Sequence, residues 1–84
     1  PLHSINIRWP DTQSQTVYVT GSFVNWNCKI PLRRDRVGWV VSLRLPRGHH
    51  EYRFIVDGKW ALDIGRLGTM RKSKDITNHT VHVN

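Results

Sequence analysis

An immunoglobulin-like β-sandwich of about seven short antiparallel strands is the fold this sequence predicts, and two observations predict it. Apolar and polar residues alternate in one segment after another, the period of a strand with a single face in a core. Turn-forming residues interrupt those segments roughly every eight to twelve positions, which is sandwich spacing. The Cys–Trp–Cys pattern of true immunoglobulin domains is absent. At 84 residues the chain is expected to be one domain, 1–84, with a modest core and no linker, internal repeat or low-complexity tract.

Taken in order, residues 5–9 put Ile5, Ile7 and Trp9 on one face until Pro10 and Asp11 stop the run. Residues 16–20 are rich in β-branched side chains, with Val17 and Val19 two apart and Gly21 at the end. Ile30-Pro31-Leu32 is expected at a sheet edge, because proline has no N–H to give to an internal ladder. Residues 39–45 group Trp39, Val41, Leu43 and Leu45 on one face. Pro46-Arg47-Gly48 turns the chain, after which Tyr52, Phe54 and Val56 share a face. Asp57-Gly58 is the strongest hairpin signal, since a type I′ turn needs positive φ that Gly tolerates. Between 61 and 77 no period is convincing: Ile64, Leu67 and Met70 are spaced by three, but Gly65 and Gly68 weaken a helix. That stretch is expected to be an ordered loop, and residues 80–83, with Val81 and Val83, form the closing strand.

Composition narrows the setting. Hydrophobic residues make up 38% of the chain and four are Trp, which fits a folded domain. No apolar run approaches the roughly 20 residues of a membrane helix, so no membrane span is expected. Cys28 is the only cysteine, which rules out an internal disulfide and points to a reducing, cytoplasmic compartment. A chain opening Pro1-Leu2 without a basic-then-apolar leader is expected to be excised from a longer one. Asn78-His79-Thr80 matches a glycosylation sequon that no secretory signal accompanies. Thirteen basic against six acidic residues give a net charge of +7, an excess that suits acidic partners, nucleic acid or an anionic membrane, but scattered charges are better read as a solvated face and no membrane partner is expected. Small basic clusters stand at Arg33, Arg34 and Arg36, and at Arg71, Lys72 and Lys74.

Trp26 and Trp60 stand apart from the other aromatics, because both fall at the edge of turn or loop sequence. Exposed indoles make a stacking platform for flat ligands, either sugar rings with their C–H faces or nucleobases. Phe23 is available as the core plug of its run and so frees Trp26, whereas Trp60 has the option of packing beneath residues 61–77. Trp9 and Trp39 are in phase with aliphatic partners and belong to the core. Alternation turns Arg53 away from the core, toward ligand or water. Asn78 either ties down a loop or meets a ligand, and Asp57 serves the turn alone. His49, His50 and Glu51 do not make a metal site, because strand neighbours point to opposite faces and no further ligand spacing completes a tetrahedron. Glycoside cleavage requires two facing carboxylates, and neither Glu51 nor Asp57 can be argued into such a pair. A binding module without metal, cofactor or catalysis is expected.

Val17-Tyr18-Val19-Thr20-Gly21-Ser22-Phe23-Val24-Asn25-Trp26, then Ile30-Pro31-Leu32, then Gly48-His49-His50-Glu51-Tyr52-Arg53-Phe54-Ile55-Val56-Asp57-Gly58-Lys59-Trp60 resembles the glycogen-binding module of AMP-activated protein kinase β subunits, in carbohydrate-binding module family 48. The resemblance covers residues 4–63 well and the last twenty in part. It implies an early-set β-sandwich that binds α-1,4-linked glucans (glycogen, starch, maltooligosaccharide, β-cyclodextrin) without cleaving them. It further implies kinase catalytic and regulatory subunits as partners through the rest of the chain, with the module tethering the kinase to polysaccharide.

By the same resemblance Trp26 and Trp60 match the sugar-stacking tryptophans, and Asp57 and Gly58 the hairpin that presents the second. Arg53 stands where the family places a hydrogen-bonding Lys, and Asn78 matches the Asn before the last strand that bonds sugar hydroxyls. The family's Leu-Gly-Thr loop is not in place before Asn78, since Leu67-Gly68-Thr69 lies upstream: either the loop is rebuilt, or the apolar finger is missing and Ile76 or Thr77 substitutes. That rebuilt loop motivates an alternative, the same fold without sugar binding serving as a protein-interaction domain. Single-stranded nucleic acid, with bases on the indoles and phosphates on the arginines, ranks last because the basic residues are spread over several segments.

Overall fold

A computed structural model describes residues 1–73 and 76–84, and these build two antiparallel sheets packed face to face. The smaller sheet has the order β1-β5-β4, from β1 (His3–Trp9), β4 (Arg33–Asp35) and β5 (Gly38–Leu45). The larger has the order β3-β2-β6-β9-β8, from β2 (Val17–Gly21), β3 (Ile30–Pro31), β6 (Gly48–Val56), β8 (Met70–Ser73) and β9 (Ile76–Val83). A short strand, β7 (Lys59–Ala61), also pairs with β6.

Alternation decides what lies between the sheets. Ile7, Trp39, Leu43 and Leu45 from the smaller sheet meet Val17, Val19, Tyr52, Phe54 and Val83 from the larger. The register pairs Trp9 with Trp39 and Ile7 with Val41, so both predicted core indoles face inward, and the Trp9 ring lies 4.9 Å from that of Phe54. Gly21 is required by a close approach, since a Cβ there would collide with the Glu51 carbonyl and the Phe23 ring. Phe23 therefore folds over Gly21 onto the core, and Ser22–Val24 forms a 3₁₀ turn instead of continuing the strand.

Three departures from the sequence expectation are informative. Residues 61–77 are not a loop throughout: two 3₁₀ turns over Ile64–Thr69, broken at Arg66, lead into β8, and the last strand begins at Ile76 instead of residue 80. Met70 pairs with His79 and Ser73 with Ile76, so this hairpin is held by its backbone, and the edge strand carries exposed Arg71 and Lys72. Such an edge needs no apolar alternation. β4 was likewise invisible, because Arg33, Arg34 and Asp35 carry no apolar residue; Arg34 lies 4.8 Å from the Trp39 ring and donates to the Ser14 carbonyl.

Asp57 does more than serve the turn. With φ of 50° at Asp57 and 82° at Gly58, the β6–β7 hairpin has the two positive φ values of a type I′ turn. The Asp57 carboxylate also accepts from the backbone N–H of Gln15 (2.7 Å) and Thr16 (2.9 Å), tying the hairpin to the entry of β2.

Buried His79, only 1% exposed, is the polar centre of the larger sheet. Its Nε2 accepts from the Asp63 backbone N–H at 2.8 Å, and its Nδ1 lies 2.7 Å from Thr69 Oγ1. That hydroxyl donates to the Arg66 carbonyl, so Nδ1 must carry the ring proton and the imidazole is neutral. Burial holds its pKa below the ordinary value of 6.5, against the opposing pull of Asp63.

Candidate functional site

β6 places His50, Tyr52 and Phe54 in the core and turns Glu51, Arg53 and Ile55 outward. One edge of β6 is occupied by β2, while the other is shared. β9 pairs with Gly48–Tyr52 along it, and β7 pairs with Phe54–Val56. Arg53 sits at the changeover, just past the last ladder pair, Tyr52 with His79. The next residue of β9 is Asn78, and there side chains take over from backbone bonds. Arg53 Nε donates to Asn78 Oδ1 at 3.1 Å, a terminal Arg53 nitrogen donates to the Thr77 carbonyl at 3.2 Å, and Asn78 Nδ2 donates to Glu51 Oε1 at 3.1 Å. The amide thus bridges a cation and an anion on one sheet face.

The type I′ hairpin returns the chain so that Trp60 lies opposite Ile55, on the same outward face. The Arg53 guanidinium lies 5.1 Å from the Trp60 ring centroid, a cation–π contact that holds the indole over the network. Trp26 arrives from the other side. After the 3₁₀ turn, Asn25 and Trp26 adopt φ of 53° and 58°, and Trp26 N–H donates to the Gly21 carbonyl at 3.0 Å. A bulky residue at positive φ is a costly conformation that persists only where its surroundings enforce it. The loop is docked on β6 through Ser22 Oγ, which accepts from the Glu51 N–H at 2.9 Å.

Trp26 is 42% exposed and Trp60 59%, against 8% for the core residue Trp39. The two indoles line one depression of about 410 Å³ together with Glu51, Arg53, Ile76 and Asn78. Asn78, at 9% exposure, is chiefly a bridge, and it lies inside the last strand, not before it. Exposed Ile76 lies on the rim. Thr77 does not reach this depression; it lines a neighbouring hollow of about 400 Å³ with Arg53, Trp60 and Ile64. Thr69, from the upstream Leu-Gly-Thr letters, is committed to His79 on the inner side of β9.

Glu51 is the member of the site that sequence reasoning missed. The signal was present, since it lies two residues before Arg53 on a strand and must share its face. His49 also shares that face, stacked on His82 with centroids 4.2 Å apart. Among the described residues no group of three His, Cys, Asp or Glu side chains could hold a metal ion.

With the geometry established, comparison with known proteins is direct. The sequence pattern described as the glycogen recognition site of AMP-activated protein kinase matches residues 3–84. The chain is 39% identical over 83 residues to the β-2 subunits of 5'-AMP-activated protein kinase from mouse and human, covering 92% of itself and 28% of each of them. It is 51% identical over 56 residues to the pig β-1 subunit, covering 67% of itself and 44% of that protein. The chain therefore spans less than a third of the β-2 subunits it matches.

Proposed function

The chain belongs to the family of glycogen recognition sites of AMP-activated protein kinase, and on that premise we propose that it is a non-catalytic α-glucan-binding module. Trp26 and Trp60 stack on glucose rings, while Arg53 and Asn78 meet hydroxyls at the ring edges. One observation carries this reading: two exposed indoles share a single depression with a hydrogen-bonded Glu51–Asn78–Arg53 row. A pyranose offers an apolar C–H face to an indole and a polar rim to such a row. Ile76 adds apolar contact at the rim, and Thr77 meets the glucan beyond Trp60.

Glu51 is the one carboxylate lining the depression among the described residues, whereas glycoside cleavage uses a facing pair. That carboxylate also disfavours the phosphates of nucleic acid at the stacking platform. Residues 1–84 act as one carbohydrate-binding module of a longer β subunit whose remaining parts engage the kinase catalytic and regulatory subunits. Each contact is weak, so the module works as a tether, raising the local kinase concentration at a polymer with many sites. No helix among the described residues is long and apolar enough to cross a membrane, and the exposed thiol of Cys28 suits a reducing cytoplasm.

Titration with maltoheptaose at two ionic strengths tests the reading. Binding that localises to Trp26 and Trp60 by NMR and ignores salt is expected. No binding, or affinity that falls steeply with salt as counterion release demands, would overturn it.

A further inference from the structure

We propose that Glu51 is a sugar-contacting, specificity-determining residue: its second carboxylate oxygen accepts from one hydroxyl of a pyranose vicinal diol while the adjacent hydroxyl accepts from Arg53. This rests on the glucan reading of the same site. Glu51 and Arg53 are two residues apart on β6 and face the same depression. Left alone, such a pair would collapse into an ion pair and satisfy itself. Asn78 prevents this by standing between them, using Oδ1 for Arg53 Nε and Nδ2 for Glu51 Oε1.

The result is an acceptor and a donor held apart on one wall. Oε2 of Glu51 has no protein donor among the described residues, and Arg53 keeps N–H groups beyond the two it commits to Asn78 and Thr77. Neighbouring ring hydroxyls match that order, because a hydroxyl both donates and accepts. The carboxylate also sets a limit on the ligand. A glucan methylated at the 2- and 3-hydroxyls keeps its apolar ring face but has no hydroxyl proton to give Oε2, so the site selects unsubstituted glucans over methylated ones.

The test is calorimetric titration of maltoheptaose, and of maltodextrin methylated at O2 and O3, into the wild type, Glu51→Gln, Glu51→Ala and Trp60→Ala, with thermal melts to verify folding. Gln keeps the shape and can still accept from Asn78, but it turns a donor toward the sugar. Glu51→Gln should weaken maltoheptaose binding about tenfold or more, the effect of losing a hydrogen bond to a charged group, and should narrow the preference against the methylated glucan. Wild-type affinity in Glu51→Gln would overturn the proposal whether or not Glu51→Ala binds weakly; weak binding by Glu51→Ala alone would reduce Glu51 to a support for Asn78. Unchanged affinity in Trp60→Ala would instead overturn the glucan reading itself.

Discussion

Replacing Trp60 by alanine removes one wall of the depression without touching the core, because the indole is 59% exposed and sits on a three-residue strand. A glucose ring stacked on it covers on the order of 100 Å² of apolar surface, worth about 2.5 kcal/mol at the usual coefficient. The Arg53 guanidinium, 5.1 Å from the ring, loses a cation–π contact of about 0.5–1 kcal/mol and with it some orientation. Trp60→Ala should therefore weaken maltoheptaose binding by roughly 50-fold or more. Stability should change little, since an exposed side chain away from caps and buried networks usually contributes within about 0.5 kcal/mol. Calorimetry measures the first quantity and a denaturant melt the second. A folded Trp60→Ala protein within threefold of wild-type affinity would show that the indole is not a binding surface. Loss of binding through unfolding would show that it belongs to the core.

Trp26 should behave differently because of its backbone. At φ of 58° glycine is unstrained and alanine is not, so Trp26→Gly should be more stable than Trp26→Ala by about 1 kcal/mol, although both lose glucan binding; equal melts would refute the strain. Asp57→Gly keeps a residue tolerant of positive φ but gives up the bonds to Gln15 and Thr16, and should cost about 1–3 kcal/mol in denaturant melts; no loss would mean that the turn alone matters. His79 makes stability pH-dependent. Its folded pKa is lowered, so the unfolded chain binds a proton first, and stability present above about 6.5 is lost as pH falls toward the folded value, with a slope of up to ~1.4 kcal/mol per unit. Denaturant melts at pH 7.5 and 5.5 should differ in the wild type and converge in His79→Phe.

How much of this was legible follows from which elements pay for a core. β1, β2, β5 and β6 each bury one face, and their alternation announced them, with Trp9, Trp39 and Phe54 in the predicted places. β4, β7 and β8 are short arms held by backbone ladders to a stronger neighbour, so their side chains owe nothing to periodicity. For that reason the charged run at Arg33 was assigned no element and the stretch after Ala61 read as loop. Trp26 and Trp60 were found because a large aromatic beside a turn has no core to enter. Glu51 was weighed only as a metal ligand or acid, chemistry in which it has no counterpart. Its partner Asn78 lies 27 positions away, a pairing that only the β6–β9 register reveals.

That register also explains why a binding site arises at this point on the sheet. A continuous ladder would leave a smooth face with side chains at fixed spacing. Here β6 changes partners at Arg53, from β9 to β7, and the interruption in backbone pairing is filled by Arg53, Asn78 and the Thr77 carbonyl. Trp60 and Arg53 consequently line hollows on both sides of the break. The inward residues of the same strands, Tyr52, Phe54 and His79, are packed independently of what the outer face carries. Affinity and stability are therefore separable at Glu51 and Trp60, where a substitution alters only the outer face. They are coupled at Trp26, whose strained loop is docked through Ser22 onto the backbone of Glu51 itself.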